Sequence, residues 1–148
     1  MKSATKKQLN KITVHHSFHL GNGVYLQRIR FKGKKKIDIR QWAQNGCGPQ
    51  MRPTHKGIRL TINSWKNLLL QFEYIMSDLF AVLKKKAVIS DYHYIGCGIF
   101  ASMQYAQRVV DVREWHGRKM TRRSWKGIHL TFPQMLRLLD LTLHVNIS

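Results

Sequence analysis

The stretch Lys36-Ile37-Asp38-Ile39-Arg40-Gln41-Trp42, followed by Lys56-Gly57-Ile58-Arg59-Leu60-Thr61, occurs a second time as Val109-Val110-Asp111-Val112-Arg113-Glu114-Trp115, followed by Lys126-Gly127-Ile128-His129-Leu130-Thr131. A chain that repeats itself this closely is built from two copies of one unit. The interval from Asp38 to Gly57 is longer than that from Asp111 to Gly127 by about three residues, and length changes of that kind belong in loops.

The side chains of each stretch alternate. Ile37 and Ile39 share one face of a strand, whereas Lys36, Asp38, Arg40 and Trp42 share the other, because strand side chains point to opposite faces with a period of two. The expected result is a sheet with an apolar inner face and an outer face that mixes cations with an aromatic ring.

Charge narrows the partners. Across 148 residues there are 26 Lys+Arg against 7 Asp+Glu, a formal net charge of +19, which attracts polyanions at long range and makes nucleic acid the leading partner. So few acids leave little room for a two-carboxylate or metal-carboxylate active site, and neither a Ser/His/Asp arrangement nor a phosphate-cradling glycine loop with its lysine is recognisable. No enzymatic activity and no cofactor are expected. Asp38 and Asp111, each two residues before an arginine on the same strand face, are read as local ion pairs that orient Arg40 and Arg113. His15-His16-His19 is too loose a group for zinc. Cys47 and Cys97 are expected to remain thiols. The amino terminus shows no apolar signal core, and the apolar run from Trp65 to Leu83 is interrupted by Lys66, Glu73 and Asp78, so a soluble intracellular protein with no membrane association is expected.

Along the chain, residues 1–17 are basic and aperiodic and are expected to be a flexible tail. Residues 18–31 alternate as a hairpin around Gly21-Asn22-Gly23, and a second strand follows Lys32-Gly33-Lys34. Gln44–Thr54, with Gly46, Gly48, Pro49 and Pro53, predicts a loop, and Lys56–Thr61 predicts a third strand with Ile58 and Leu60 inward. Trp65, Leu68, Leu69, Phe72, Met76, Leu79 and Leu83 then recur at helical spacing, with Thr61 or Asn63 as cap. The second copy restarts near Tyr92, where Gly96-Cys97-Gly98 matches the first turn, and ends in a helix over Phe132–Val145 capped by Thr131. That helix is apolar almost all round, which predicts extensive burial, with the first helix as its partner. The domains are therefore 18–80 and 92–148, joined by a linker over 81–91.

Binding chemistry concentrates at the first hairpin tip. Phe31-Lys32-Gly33-Lys34-Lys35-Lys36 joins an aromatic ring to several ammonium groups, and Arg40 and Trp42 continue the mixture along the strand. Unpaired bases stack on aromatic faces while cations neutralise phosphates, at about 1–3 kcal/mol per stacked base.

These residues carry a family resemblance. Phe31-Lys32-Gly33-Lys34, Ile37-Asp38-Ile39-Arg40, Met51-Arg52-Pro53 and Lys56-Gly57-Ile58, continuing through Trp65, closely resemble the single-stranded-DNA-binding domain of the eukaryotic positive-cofactor-four transcriptional coactivators. The second copy keeps Val110-Asp111-Val112-Arg113-Glu114, Met120 and Lys126-Gly127-Ile128 but replaces the hairpin tip with Met103-Gln104-Tyr105-Ala106-Gln107-Arg108. The resemblance implies an α+β fold in which two repeats of a curved four-stranded antiparallel sheet, each followed by a helix, form an intramolecular pseudo-dimer shaped like a saddle, the two helices packed together. It also implies a nucleic-acid surface comprising Phe31, Lys32, Lys34, Arg40, Trp42, Arg52 and Lys56, to which the hairpin's own composition adds Lys36, with Arg113, Trp115 and Lys126 in the second copy, where Tyr105 and Arg108 stand in for the lost tip. The implied function is sequence-tolerant binding of single-stranded or unwound DNA in transcription or replication, in the nucleus, whether the chain is cellular or viral, with RNA as a further substrate and transcription machinery as a further partner. A charge-driven packaging protein for duplex DNA or RNA and a protein-binding transcription adaptor are the alternatives.

Overall fold

The computed structural model describes residues 11–44, 48–85, 92–104, 107–116 and 122–142. The elements are β1 (Thr13–Gly21), β2 (Val24–Phe31), β3 (Lys34–Gln44), β4 (Met51–Thr61), α1 (Ile62–Lys85), β5 (Tyr92–Gly96), β6 (Ile99–Gln104), β7 (Val109–His116), β8 (Arg122–Thr131) and α2 (Phe132–Thr142). The strands form one eight-stranded antiparallel sheet in the order β1-β2-β3-β4-β8-β7-β6-β5, which reads alike from both edges. At its middle β4 meets β8, with Gly57 opposite Gly127.

Local chemistry explains the connections. The turns Asn22-Gly23, Lys32-Gly33 and Cys97-Gly98 each have two consecutive residues at positive φ, the backbone of a two-residue hairpin whose twist matches that of its strands. Both helices are capped by threonine. The Ser64 amide donates to Thr61 Oγ1 at 3.1 Å. At the second helix the exchange is reciprocal, the Gln134 amide donating to Thr131 Oγ1 at 3.4 Å and the Thr131 amide to Gln134 Oε1 at 2.9 Å, a capping box.

One face of the sheet is apolar and is covered by the helices. Leu26, Ile37, Ile39, Leu60, Val110, Val112 and Leu130 are buried there with Trp65, Leu68, Met135 and Leu138 in a single core cluster. Among the described residues each helix packs on strands: α1 lies chiefly across the middle of the sheet, on β5 and β6, whereas α2 reaches across to β1 and also lies on β8 and β7 of its own half. Two side-chain bonds fasten this exchange, Asn67 Nδ2 donating to the Ile95 carbonyl at 3.1 Å and Gln134 Nε2 to the Gly21 carbonyl at 2.8 Å.

Several expectations are corrected. β1 begins at Thr13, inside the segment read as tail, because an edge strand gains its order from main-chain bonds to β2 while its histidines stay exposed and leave no apolar period. β4 begins at Met51, inside the predicted loop, and α1 continues to Lys85, inside the predicted linker. The second helix is not buried all round. Its eleven residues bury Met135 and Leu138 while Leu136 and Leu139 remain 52% and 37% exposed, and among the described residues its main contacts are strands. Residues 1–10 and 86–91, Cys47, Tyr105 and Met120 lie outside the described residues, as do Leu143 and the side chains of Met76, Leu79 and Leu83. Among the described residues no helix is long and apolar enough to cross a membrane.

Candidate nucleic-acid interface

The face of the sheet away from the helices is polar, basic and aromatic. Register fixes its rows: Gln27, Asp38 and Arg59 stand side by side, as do Tyr25, Arg40 and Gly57. Between the rows lies a groove of about 730 Å³ whose lining includes Phe31, Lys36, Asp38, Arg40, Trp42 and Arg59. Ile29 is buried on this face, outside the helix-side core, and gives the groove an apolar floor.

An ion network holds the cations in place. Arg40 donates from Nε to Asp38 Oδ1 at 3.1 Å and from Nη2 to Asp38 Oδ2 at 3.2 Å, and its Nη1 donates to the Thr54 carbonyl at 2.9 Å. Arg59 Nε donates to the second carboxylate oxygen at 3.2 Å. Asp38 is 4% exposed, so these fork-like bonds are shielded from competing water. Three of the five N–H groups of Arg40 are thereby engaged, which fixes its plane and leaves two to meet a phosphate. Arg59 in turn places its guanidinium 4.7 Å from the Phe31 ring centroid, and Lys32 Nζ lies 5.2 Å from the same ring. Phe31 is thus half-buried with two cations close to its ring.

A bulge shapes the groove wall. Between the pairs Arg40↔Gly57 and Trp42↔Pro53, the single residue Gln41 of β3 faces Thr54, His55 and Lys56 of β4. Bulges of this kind bend a strand and re-aim its side chains. Thr54 stabilises the bulge, its Oγ1 donating to the Gln41 carbonyl at 2.8 Å and accepting from the Lys56 amide at 3.2 Å. The bulge also turns the Thr54 carbonyl toward Arg40. Trp42 packs edge to face with Tyr25 at 6.1 Å, and its indole nitrogen is buried without a hydrogen-bond partner among the described residues.

The corresponding face of the second half keeps the Asp–Arg frame and differs around it. Arg113 donates to Asp111 from Nε and Nη2 and to the Ser124 carbonyl at 2.8 Å, and Trp115 reproduces the unpartnered indole nitrogen. At the Arg59 position stands His129, 3.1 Å from Asp111, with Arg123 3.8 Å from the same carboxylate. Val109 occupies the place of Lys36 and Gln104 that of Ile29.

Of the residues named from sequence, the structure brings Phe31, Lys36, Arg40 and Trp42 together in the groove, with Lys126 reaching it from the other copy. Lys32 caps the Phe31 ring. Lys34, Arg52 and Lys56 are exposed but do not line the groove, Arg108 is exposed in the β6–β7 connection, and Arg113 and Trp115 lie on the second face. Sequence reasoning missed Arg59, which was legible as the outward neighbour of Ile58 and Leu60, and it missed His55 and Trp125, whose placement depends on the bulge.

Comparison with known proteins agrees with the first copy. Residues 18–70 match the family described as Transcriptional Coactivator p15 (PC4). A Caenorhabditis elegans protein named "Putative RNA polymerase II transcriptional coactivator" is 37% identical over 51 residues, which make up 34% of this chain and 41% of that relative, so the alignment spans less than half of its length. No solved structure matches the chain.

Proposed function

We propose that the protein is a sequence-tolerant single-stranded DNA-binding protein that holds unwound DNA in transcription or replication, without catalysis, and that it acts in the nucleus. The observation that carries this reading is Phe31, which lines the groove with Arg59 and Lys32 near its ring, beside the clamped Arg40. An aromatic ring in a groove lined with cations offers a stacking surface to an unpaired base and counter-charge to its phosphates, and a closed duplex has no base faces to offer. The similarity of residues 18–70 to a transcriptional coactivator family supports the same reading and its placement in transcription.

The mirrored strand order and the meeting of Gly57 with Gly127 support a pseudo-dimer contained in one chain, in which two equivalent strands meet about an approximate two-fold. The two faces then differ in grip, and the first is the stronger because Lys36 and Arg59 have no cationic equivalents of the same reach in Val109 and His129.

Replacing Phe31 with alanine is expected to weaken binding of a labelled single-stranded oligonucleotide about tenfold, within the range of one lost stacked base, with the unfolding midpoint little changed. Trp42→Ala should weaken binding less, and should lower stability, because its ring packs on Tyr25. Unchanged affinity in Phe31→Ala, Trp42→Ala and Arg40→Ala, measured by anisotropy titration, would contradict this assignment of the face.

A further inference from the structure

Trp125 is the most exposed tryptophan among the described residues, at 66%, and nothing in the first groove's own repeat supplies it. It sits on β8, where Gln41's counterpart Glu114 faces the three residues Ser124, Trp125 and Lys126 between the pairs Arg113↔Gly127 and Trp115↔Arg123. The bulge of β8 therefore repeats that of β4, and Trp125 is its apex as His55 is the apex of the other. The two apices touch across the β4–β8 junction, the rings edge to face at 5.9 Å. Trp125 nevertheless lines the groove of the first copy, with Lys126 beside it and Lys126 Nζ 5.8 Å from the indole centroid.

We infer that Trp125 is a base-stacking residue contributed by the second copy to the groove of the first, so that a bound strand passes over the β4–β8 junction instead of ending within one repeat. This rests on the single-strand reading above and adds to it a residue and a path. A large indole left in water on a bulge, packed edge to face with His55 and accompanied by an ammonium group, has the composition of a stacking platform: the ring takes the base and Lys126 takes the adjoining phosphate. Both apices, His55 and Trp125, line the first groove, so the junction adds an indole from the other half of the chain to that groove.

The test uses the full chain and labelled single strands of roughly 16 nucleotides, the upper end of common site sizes, as both DNA and RNA. Trp125→Ala is expected to weaken binding about tenfold, Trp125→His by nearly as much, and Trp125→Phe only about twofold, all with the parent's unfolding midpoint because the side chain is exposed. Because the indole carries no charge, the salt dependence of Trp125→Ala should equal the parent's, whereas Lys126→Ala should reduce the log–log slope by about 0.7. Parent-like affinity in Trp125→Ala together with weakened Arg40→Ala and Phe31→Ala overturns the role of Trp125 and leaves the single-strand reading standing. Parent-like affinity in all three variants overturns both. A loss in Trp125→Ala that Trp125→Phe does not recover also overturns the stacking role, and a loss confined to DNA or to RNA identifies which strand the platform serves.

Discussion

Alanine at Asp38 is expected to lower the stability of the protein by about 3 kcal/mol. The carboxylate is buried and receives both Arg40 and Arg59, so its removal leaves two guanidinium groups facing each other without a counter-charge. Breaking a buried pair by deleting one partner costs about 3–5 kcal/mol. The lower end applies here because the Arg40 and Arg59 side chains keep 17% and 27% of their exposure and remain partly hydrated. For a chain of this size the change corresponds to a fall of roughly 6–12 °C in the unfolding midpoint. Asp38→Asn should cost less, since the amide retains an acceptor for one arginine.

The same variant separates two kinds of binding. Asp38→Ala raises the net positive charge, so a protein that holds nucleic acid by charge alone would bind more tightly. If the clamped orientation of Arg40 matters, single-strand affinity falls despite the added charge. Tighter binding by Asp38→Ala would show that the ion network plays no part in recognition.

Gly57→Ala is the second large effect, expected at about 2 kcal/mol of destabilisation. A Cβ at Gly57 would stand 2.6 Å from Arg40 Cζ and 2.7 Å from its Cγ. Overpacking typically costs about 1–3 kcal/mol, and Arg40 cannot swing aside without giving up Asp38 and the Thr54 carbonyl. The loss of glycine flexibility in the unfolded chain returns at most about 1 kcal/mol. Because the displaced guanidinium leaves its post, single-strand affinity should fall at least as far as in Arg40→Ala. Gly127 is related to Arg113 in the same way, at 2.7 Å from Cζ, so Gly127→Ala should destabilise similarly while affecting binding less. Denaturant unfolding of the two variants beside Arg40→Ala checks the ordering; parent-like stability in both would mean that the arginines move freely.

Much of this arrangement was legible in the sequence. Strict alternation placed Ile37 and Ile39 inward and Asp38 and Arg40 outward, because one buried face enforces the period. The helices were legible from their apolar spacing, and Thr61 and Thr131 from their capping chemistry. What escaped were features that depend on partners rather than on period. β1 is an edge strand held by main-chain bonds, so its exposed histidines carry no signal. The bulge over Thr54–Lys56 lies next to a glycine- and proline-rich stretch that looks like loop, and Pro53 fits it only because the ladder has already shifted register. The contact of Arg59 with Asp38 follows from that register. The crossing of each helix to strands of the other copy was hidden because an apolar helix face does not declare which sheet it will cover.

The most direct measurement of the central claim is competition against a labelled single strand by three unlabelled DNAs of equal length: single-stranded, duplex with a mismatched bubble, and fully paired duplex, at two salt concentrations. If the groove stacks unpaired bases, the single strand and the bubble displace the probe at concentrations about tenfold or more below those required of paired duplex, and the preference persists at the higher salt even as every affinity falls. Equal displacement by paired duplex and single strand, with any preference vanishing as salt rises, would contradict it.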